Sequence, residues 1–203
     1  MRILACAAAA LALLAAVPAS AEAVSKDPAQ APTGTYVAEA KHTQVLFSIR
    51  HLGLTDFHGR FDKISGSLVF DAKQPERSQA AITIDTATLD TTNDKLNDTL
   101  KTIFRVQQYP AAVFKSTSIS RTGPDTGRMS GLLTIRDVTK PVSLDVTFNG
   151  GTRPPLSSAY SLGFHATGTI LRSDFDLNHM IWSGFVSDEV QITIEAEFDE
   201  QKS

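Results

Sequence analysis

A chain of 203 residues, 42% hydrophobic and 20% charged, with a formal net charge of −3, has the composition of a folded, water-soluble domain. No cluster of Lys and Arg forms a basic patch, which sets nucleic acid aside as a partner. The single cysteine, Cys6, falls among the first residues, so neither a disulfide framework nor thiol chemistry is expected of the rest.

Residues 1–21 read as a cleaved secretory signal peptide. Met1-Arg2 supplies a positive start, Ile3 to Val17 is continuously apolar, and Ala19-Ser20-Ala21 is a small-x-small cleavage site. A run of about 15 apolar residues is short of the ~20 that a membrane-spanning helix needs, and no second span follows. Ile3-Leu4-Ala5-Cys6 imitates a lipid-attachment site, but no apolar run precedes its cysteine, so an acylated precursor is rejected. Residues 22–34, with Pro28 and Pro32 and no periodicity, read as a disordered lead-in to one domain, residues 35–203.

Apolar residues then recur with a period of two, the signature of strands with one buried face. Val45, Phe47 and Ile49 alternate with Leu46, Ser48 and Arg50 in a strand ending near His51, and Gly53 breaks it. Phe57, Gly59 and Phe61 resume the pattern, followed by Gly66, Leu68 and Phe70. After a polar turn over Asp71–Ser78, Ile82 and Ile84 begin a strand that threonines extend through Thr86–Thr92. Over Asn93–Val106 the period changes: Leu96, Leu100, Ile103 and Phe104 form one helical stripe, with Thr91 or Thr92 as the N-cap and Asp94 in the first turn. Pro110 stops the helix, and a strand returns over Ala112–Ser120.

Gly131–Asn149 is the clearest unit. Leu133 and Ile135 share one face, and Val142, Leu144, Val146 and Phe148 share another, across a polar join at Asp137–Pro141. This predicts an antiparallel hairpin with Pro141 at a strand start. Tyr160, Leu162, Phe164, Ala166 and Ile170 alternate next, then Val190, Ile192, Ile194, Ala196 and Phe198. About eight one-sided antiparallel strands predict an all-β barrel or sandwich. Closure would protect the strand edges and enclose either packed side chains or one small ligand.

Four ordered motifs now carry a resemblance. His42-Thr43-x-Val45-x-Phe47-Ser48-Ile49-x-His51-x-Gly53 with Gly59-Arg60-Phe61, and Gly131-Leu132-Leu133-Thr134-Ile135-Arg136-Asp137-Val138-Thr139-Lys140-Pro141, resemble signatures of the YceI family. Tyr109-Pro110 with Phe114, and Arg172-Ser173-Asp174-Phe175, fit two further family positions. The resemblance runs from about Tyr36 to Phe198. It implies an eight-stranded antiparallel, lipocalin-like barrel with one helix near an end. It also implies a periplasmic protein, linked in some members to stress responses, that holds a polyisoprenoid or similar long amphiphilic lipid, quinones included. Around the helix the chain departs from the family. Asp98-Thr99-Leu100 lacks the histidine of the common Asp-x-His-Leu, and Ile103-Phe104-Arg105 replaces two aromatics and an acid, so that end of the cavity should have its own shape.

The residues expected to meet such a ligand are those in inward phase. They are Phe47, Ile49, Phe61, Leu68, Phe70, Ile82, Ile84, Leu133, Ile135, Phe164, Ile170, Ile192 and Ile194, with Leu100 and Phe104 from the helix. His51 and Arg172 continue inward series at strand ends, where each satisfies either carboxylates such as Asp174 and backbone carbonyls or a ligand head group. Alternation alone does not separate a hollow barrel from a filled one; the resemblance implies hollow. No Gly-x-Ser-x-Gly, phosphate loop or His-Glu-x-x-His occurs, and His42, His51, His58, His165 and His179 match no common metal spacing. The expectation is therefore a binding protein without cofactor or metal. An enzyme using His51 as acid or base, and a filled barrel serving as a partner module, are the alternatives. The expected partners are the lipid and, at most, a second copy in a homodimer.

Overall fold

The computed structural model describes residues 22–155, 157–178 and 184–202. The expected signal peptide and His179 lie outside them. The elements are β1 (Gly34–Ala38), β2 (Gln44–His51), β3 (Thr55–Phe61), β4 (Ile64–Phe70), β5 (Gln79–Asp85), β6 (Leu89–Asp90), α1 (Asp94–Phe104), β7 (Ala111–Arg121), β8 (Thr126–Ile135), β9 (Val138–Thr152), β10 (Ser161–Leu171) and β11 (Val186–Glu200).

These strands form one closed antiparallel barrel. Its eight-membered ring runs β1-β4-β5-β7-β8-β9-β10-β11, and the pairing of Tyr36–Ala38 with Phe198–Glu200 closes it. Three of the ring strands are halves of longer, kinked ones. Below the kinks, β2 takes over from β1 along the edge of β11, β3 pairs with β2, and the short β6 pairs with β3. The strand expected to run on through Thr86–Thr92 is broken in this way. The Asp85 carboxylate accepts from the Ala87 N–H at 3.1 Å and caps a 3₁₀ turn over Thr86–Thr88. Only Leu89 and Asp90 then regain pairing.

The kink parts the wall between β6 and β7, and α1 occupies the gap. Leu100 and Phe104 pack toward Val45, Phe61 and Leu89 on one side, while Ile103 and Phe104 pack toward Ala112 and Ile135 on the other. The helix cap is Asn93, whose side-chain oxygen accepts from the Leu96 N–H at 3.1 Å; neither Thr91 nor Thr92 serves. Thr92 holds a left-handed backbone at φ 60°, and the buried Thr91 turns its N–H and hydroxyl to Asn97 Oδ1, at 2.8 and 2.7 Å. Asn97 Nδ2 in turn donates to Asp90 at 3.2 Å, so one buried amide ties α1 to β6.

The central hairpin forms with a tighter turn than expected, Arg136-Asp137, and Arg136 is left-handed at φ 56°. Pro141 therefore lies inside β9, opposite Leu132, rather than at a strand start. Its missing N–H costs little there, because β10 pairs with β9 only from Leu144 onward and leaves that edge of Pro141 without a strand partner.

The ring end is plugged. Tyr36, Leu68, Phe70, Phe148, Tyr160, Leu162 and Phe198 form one buried cluster. Within it the Phe70 ring stacks on Phe148 at 6.3 Å and meets Phe164 edge-on at 6.5 Å. Burial, then Glu200 and Tyr160, push the Tyr36 hydroxyl well above the usual phenol range, and it donates to the Pro32 carbonyl at 2.7 Å. The segment read as a disordered lead-in packs across this end. Ser25 and Gly151 exchange backbone hydrogen bonds of 2.9 and 2.8 Å, Pro28–Gln30 forms a 3₁₀ turn, and Ala31 is buried in the plug. Short apolar residues and two prolines suit a strap that needs little strand pairing of its own.

Candidate functional site

Inward alternation on every strand makes the barrel interior apolar; whether it is filled depends on side-chain size against barrel girth. It is not filled. Phe47, Ile49, Ile82, Ile84, Leu133, Phe164, Ile170, Ile192 and Ile194 all point inward yet remain only partly buried, because they face an internal void. The cavity measures about 290 Å³. Gly59 helps shape it: a Cβ there would lie 2.3 Å from the Phe47 ring, so the glycine lets that ring lie flat across β3.

The wall is built strand by strand from the same phase. β2 and β3 supply Val45, Phe47, Ile49, Phe57 and Phe61; β4 and β5 supply Ile64, Leu68, Ala80, Ile82 and Ile84. β7 to β9 add Ala112, Phe114, Met129, Leu133, Ile135, Val142, Leu144 and Val146, and β10 and β11 add Phe164, Ala166, Ile170, Val186, Val190, Ile192, Ile194, Ala196 and Phe198. α1 contributes Leu96, Leu100, Ile103 and Phe104. Among the described residues, Thr43 and Arg172 are the only polar side chains in the lining. The Thr43 hydroxyl donates to the Glu197 carbonyl at 3.1 Å and is satisfied by the wall itself.

The cavity opens at the end opposite the plug. A shallow hollow lined by Ile49, His51, Thr55, Phe57, Leu96, Phe185 and Val186 shares Ile49, Phe57, Leu96 and Val186 with the cavity, so it is the mouth. His51 lies in this hollow, exposed, and not in the cavity lining. Arg172 lines the cavity near the mouth, but its guanidinium donates to the Ser187 and Val186 carbonyls at 2.9 and 3.4 Å and to Asn178 Oδ1 at 3.3 Å. Its partners are thus carbonyls of the β11 bulge and an amide; Asp174 is not among them. The side chain pins the start of β11. Asp188, in that bulge, accepts from the Ser173 hydroxyl and from the Ser173 N–H, the latter at 2.9 Å. The hydroxyl bond, helped by the backbone bond and Arg172 and opposed by slight burial, holds its carboxyl below the usual range.

Two residues picked by phase thus fall elsewhere, Phe70 in the plug and His51 at the mouth. Alternation gives the face of a strand, not the height along the barrel axis. Conversely, Phe57, Met129, Val142, Leu144, Val146, Ala166, Val190 and Ala196 line the cavity in addition to the residues expected to meet a ligand. Most lie in the alternating series already read, and Leu96 and Ile103 in the helical stripe. Leu177 and Val186 had no periodic signal. Among the described residues, no group of three His, Cys, Asp or Glu could hold a metal ion. His165 instead faces outward and pairs across strands with Glu195 at 2.7 Å, and His42 contacts Glu39 at 2.7 Å.

A closed antiparallel barrel around an apolar cavity, with a helix in its wall, is a lipocalin-like barrel. The chain belongs to the YceI family: the model of the YceI-like domain matches residues 36–198. A UPF0312 protein of Pseudomonas savastanoi pv. phaseolicola is 37% identical over 152 residues, 73% of this chain and 79% of its own length. One from Pectobacterium carotovorum subsp. carotovorum is 34% identical over 166 residues, 81% of this chain and 84% of its own length. Among solved structures, BcnA of Burkholderia cenocepacia aligns with a TM-score of 0.67 at 27% identity, over 76% of this chain and 95% of BcnA. A polyisoprenoid binding domain from Saccharophagus degradans aligns at 0.62 and 16% identity, covering 82% of this chain and 98% of that domain, and so shares the fold. Among the described residues, no helix is long and apolar enough to cross a membrane.

Proposed function

We propose that the barrel holds one long apolar lipid tail, of polyisoprenoid kind, for sequestration or transport. The observation that carries this reading is a void of about 290 Å³ whose lining, among the described residues, contains two polar side chains, both hydrogen-bonded to carbonyls of the wall. Water gains little in such a space, whereas a hydrocarbon chain replaces apolar hydration on both sides. Taking a methylene as about the ~30 Å³ of one water, the void takes about ten. At ~0.8 kcal/mol each they contribute about 8 kcal/mol before association and ordering costs of several kcal/mol. The family and the polyisoprenoid-binding neighbour support the tail chemistry. The signal sequence supports export to the periplasm. A quinone is the head-bearing variant of the same ligand, its ring lying at the mouth near His51 and Arg172. One barrel encloses the whole cavity, so the reading requires no second copy.

An enzyme reading would use His51 as acid or base. Against it, among the described residues the cavity lining holds no Ser, Cys, Asp, Glu or Lys to act as a nucleophile or second proton carrier. The test is to load the protein with a defined prenyl alcohol and follow the extracted lipid by mass spectrometry over time, for wild type and His51→Gln. Binding predicts an unchanged lipid in both. Time-dependent conversion by wild type alone would establish catalysis instead.

A further inference from the structure

The mouth carries apolar surface that the fold does not require. The β2–β3 turn presents Leu52, 50% exposed, and Leu54, 75% exposed, and beside it Phe185 is 54% exposed. The three are one patch: the Leu52 N–H donates to the Phe185 carbonyl at 2.7 Å, and the Leu54 N–H closes the turn on the His51 carbonyl at 2.9 Å. Phe185 also lines the mouth, so the patch is continuous with the cavity wall. Local physics disfavours leucine here. Leu52 is left-handed at φ 52°, followed by Gly53 at φ 70°. That conformation brings the Cβ of an ordinary residue too close to its backbone, a penalty that Gly, Asn or Asp largely avoid. The other tight hairpin turn, Arg136-Asp137, is polar. A strained, exposed leucine beside two more exposed apolar groups is an outlier of the kind that marks function.

Resting on the reading that the cavity holds a lipid tail, we propose that this rim inserts shallowly into a bilayer surface and turns the mouth toward the tails it collects or delivers. The cargo itself dwells in a bilayer, and the patch borders the opening through which it must pass. A protein partner seated there would instead cap the cavity. The charges next to the turn are matched, Arg50 with Asp56 at 3.1 Å, so the rim suits an uncharged surface and needs no anionic lipid. The arrangement is that of interfacial anchors, apolar groups at the water boundary with no span.

The test is cosedimentation of protein from the periplasmic extract with phosphatidylcholine vesicles, its N-terminus verified by intact mass. Leu54→Asp with Phe185→Asp is the rim variant, and Leu54→Asn the milder one. Val69→Asp and Leu132→Asp are controls at residues 49% and 45% exposed on the outer wall. Each variant is also loaded with a prenyl-tailed fluorescent probe from detergent solution, without vesicles. The proposal expects vesicle binding by wild type and controls, a loss of on the order of tenfold or more in the double rim variant, and equal probe loading throughout. It is overturned if the rim variants bind vesicles as wild type does, or if wild type loads probe but ignores vesicles. It is also overturned if the rim variants change the protein's own sedimentation mass, which would make the patch a self-interface. Failure of every form to load probe strikes the cavity reading itself.

Discussion

Filling the void with a side chain distinguishes a binding cavity from a loosely packed core. Ile194 is the position for it, on β11, lining the cavity and only partly buried. Ile135 also lines the cavity but is 5% exposed and packed with Ala112, Phe175 and Leu177, so enlarging it would strain the wall. Ile194→Trp adds six heavy atoms, at most about 180 Å³ if each took the ~30 Å³ of one water. That fits within about 290 Å³. The usual overpacking cost of about 1–3 kcal/mol should therefore be absent. About six methylenes of a bound tail lose their place, about 5 kcal/mol at ~0.8 kcal/mol each. Affinity should fall on the order of a thousandfold. The assays are thermal unfolding of the delipidated protein and titration with a prenyl-tailed fluorescent probe. Thr193→Trp, on the outer face of the same strand, controls for strand propensity. A binding cavity at Ile194 is refuted if Ile194→Trp lowers the melting temperature by several degrees, or if it folds normally and binds the probe as tightly as wild type.

Three further outcomes are expected. Phe70→Ala opens the plug and should cost about 3–5 kcal/mol, read by denaturant unfolding, while the probe still binds. Asn97→Ala leaves the buried Thr91 N–H without its acceptor and the Thr91 hydroxyl with only the Asn93 carbonyl at 3.5 Å, costing about 1–3 kcal/mol, and amide exchange should accelerate in α1 before the barrel strands. The Asp188 carboxyl is depressed in the fold, so its contribution is present above the unfolded pKa of about 3.9 and is lost as pH falls through the folded value. Melting temperatures of wild type and Asp188→Asn, apart at neutral pH, should converge below about pH 4.

Much of this was legible in the alternation. The inward faces of β2, β8, β9, β10 and β11 and the stripe of α1 follow directly from periods of two and 3.6, because one-sided burial imposes them. Height along the barrel does not. Phe70 and Ile84 share an inward phase, yet one is in the plug and the other on the cavity, since register across strands sets depth. The kinks that split the first ring strands were hidden too. They depend on side-chain caps such as Asp85 on Ala87, which compete locally with the ladder and leave the apolar pattern intact. The packing of residues 22–34 escaped for a related reason: a strap held by a few backbone bonds and one buried alanine has no period to detect. Hollowness was beyond the sequence, because the same Ile and Phe residues can interdigitate or stand apart depending on barrel girth.

Whether the barrel carries a lipid tail is decided by native mass spectrometry of the protein as it comes from the periplasm, followed by solvent extraction. One adduct per chain is expected, released intact as a long-chain, largely hydrocarbon lipid, and lost in Ile194→Trp. Ligand-free protein that also fails to take up a polyprenyl chain from vesicles would contradict it.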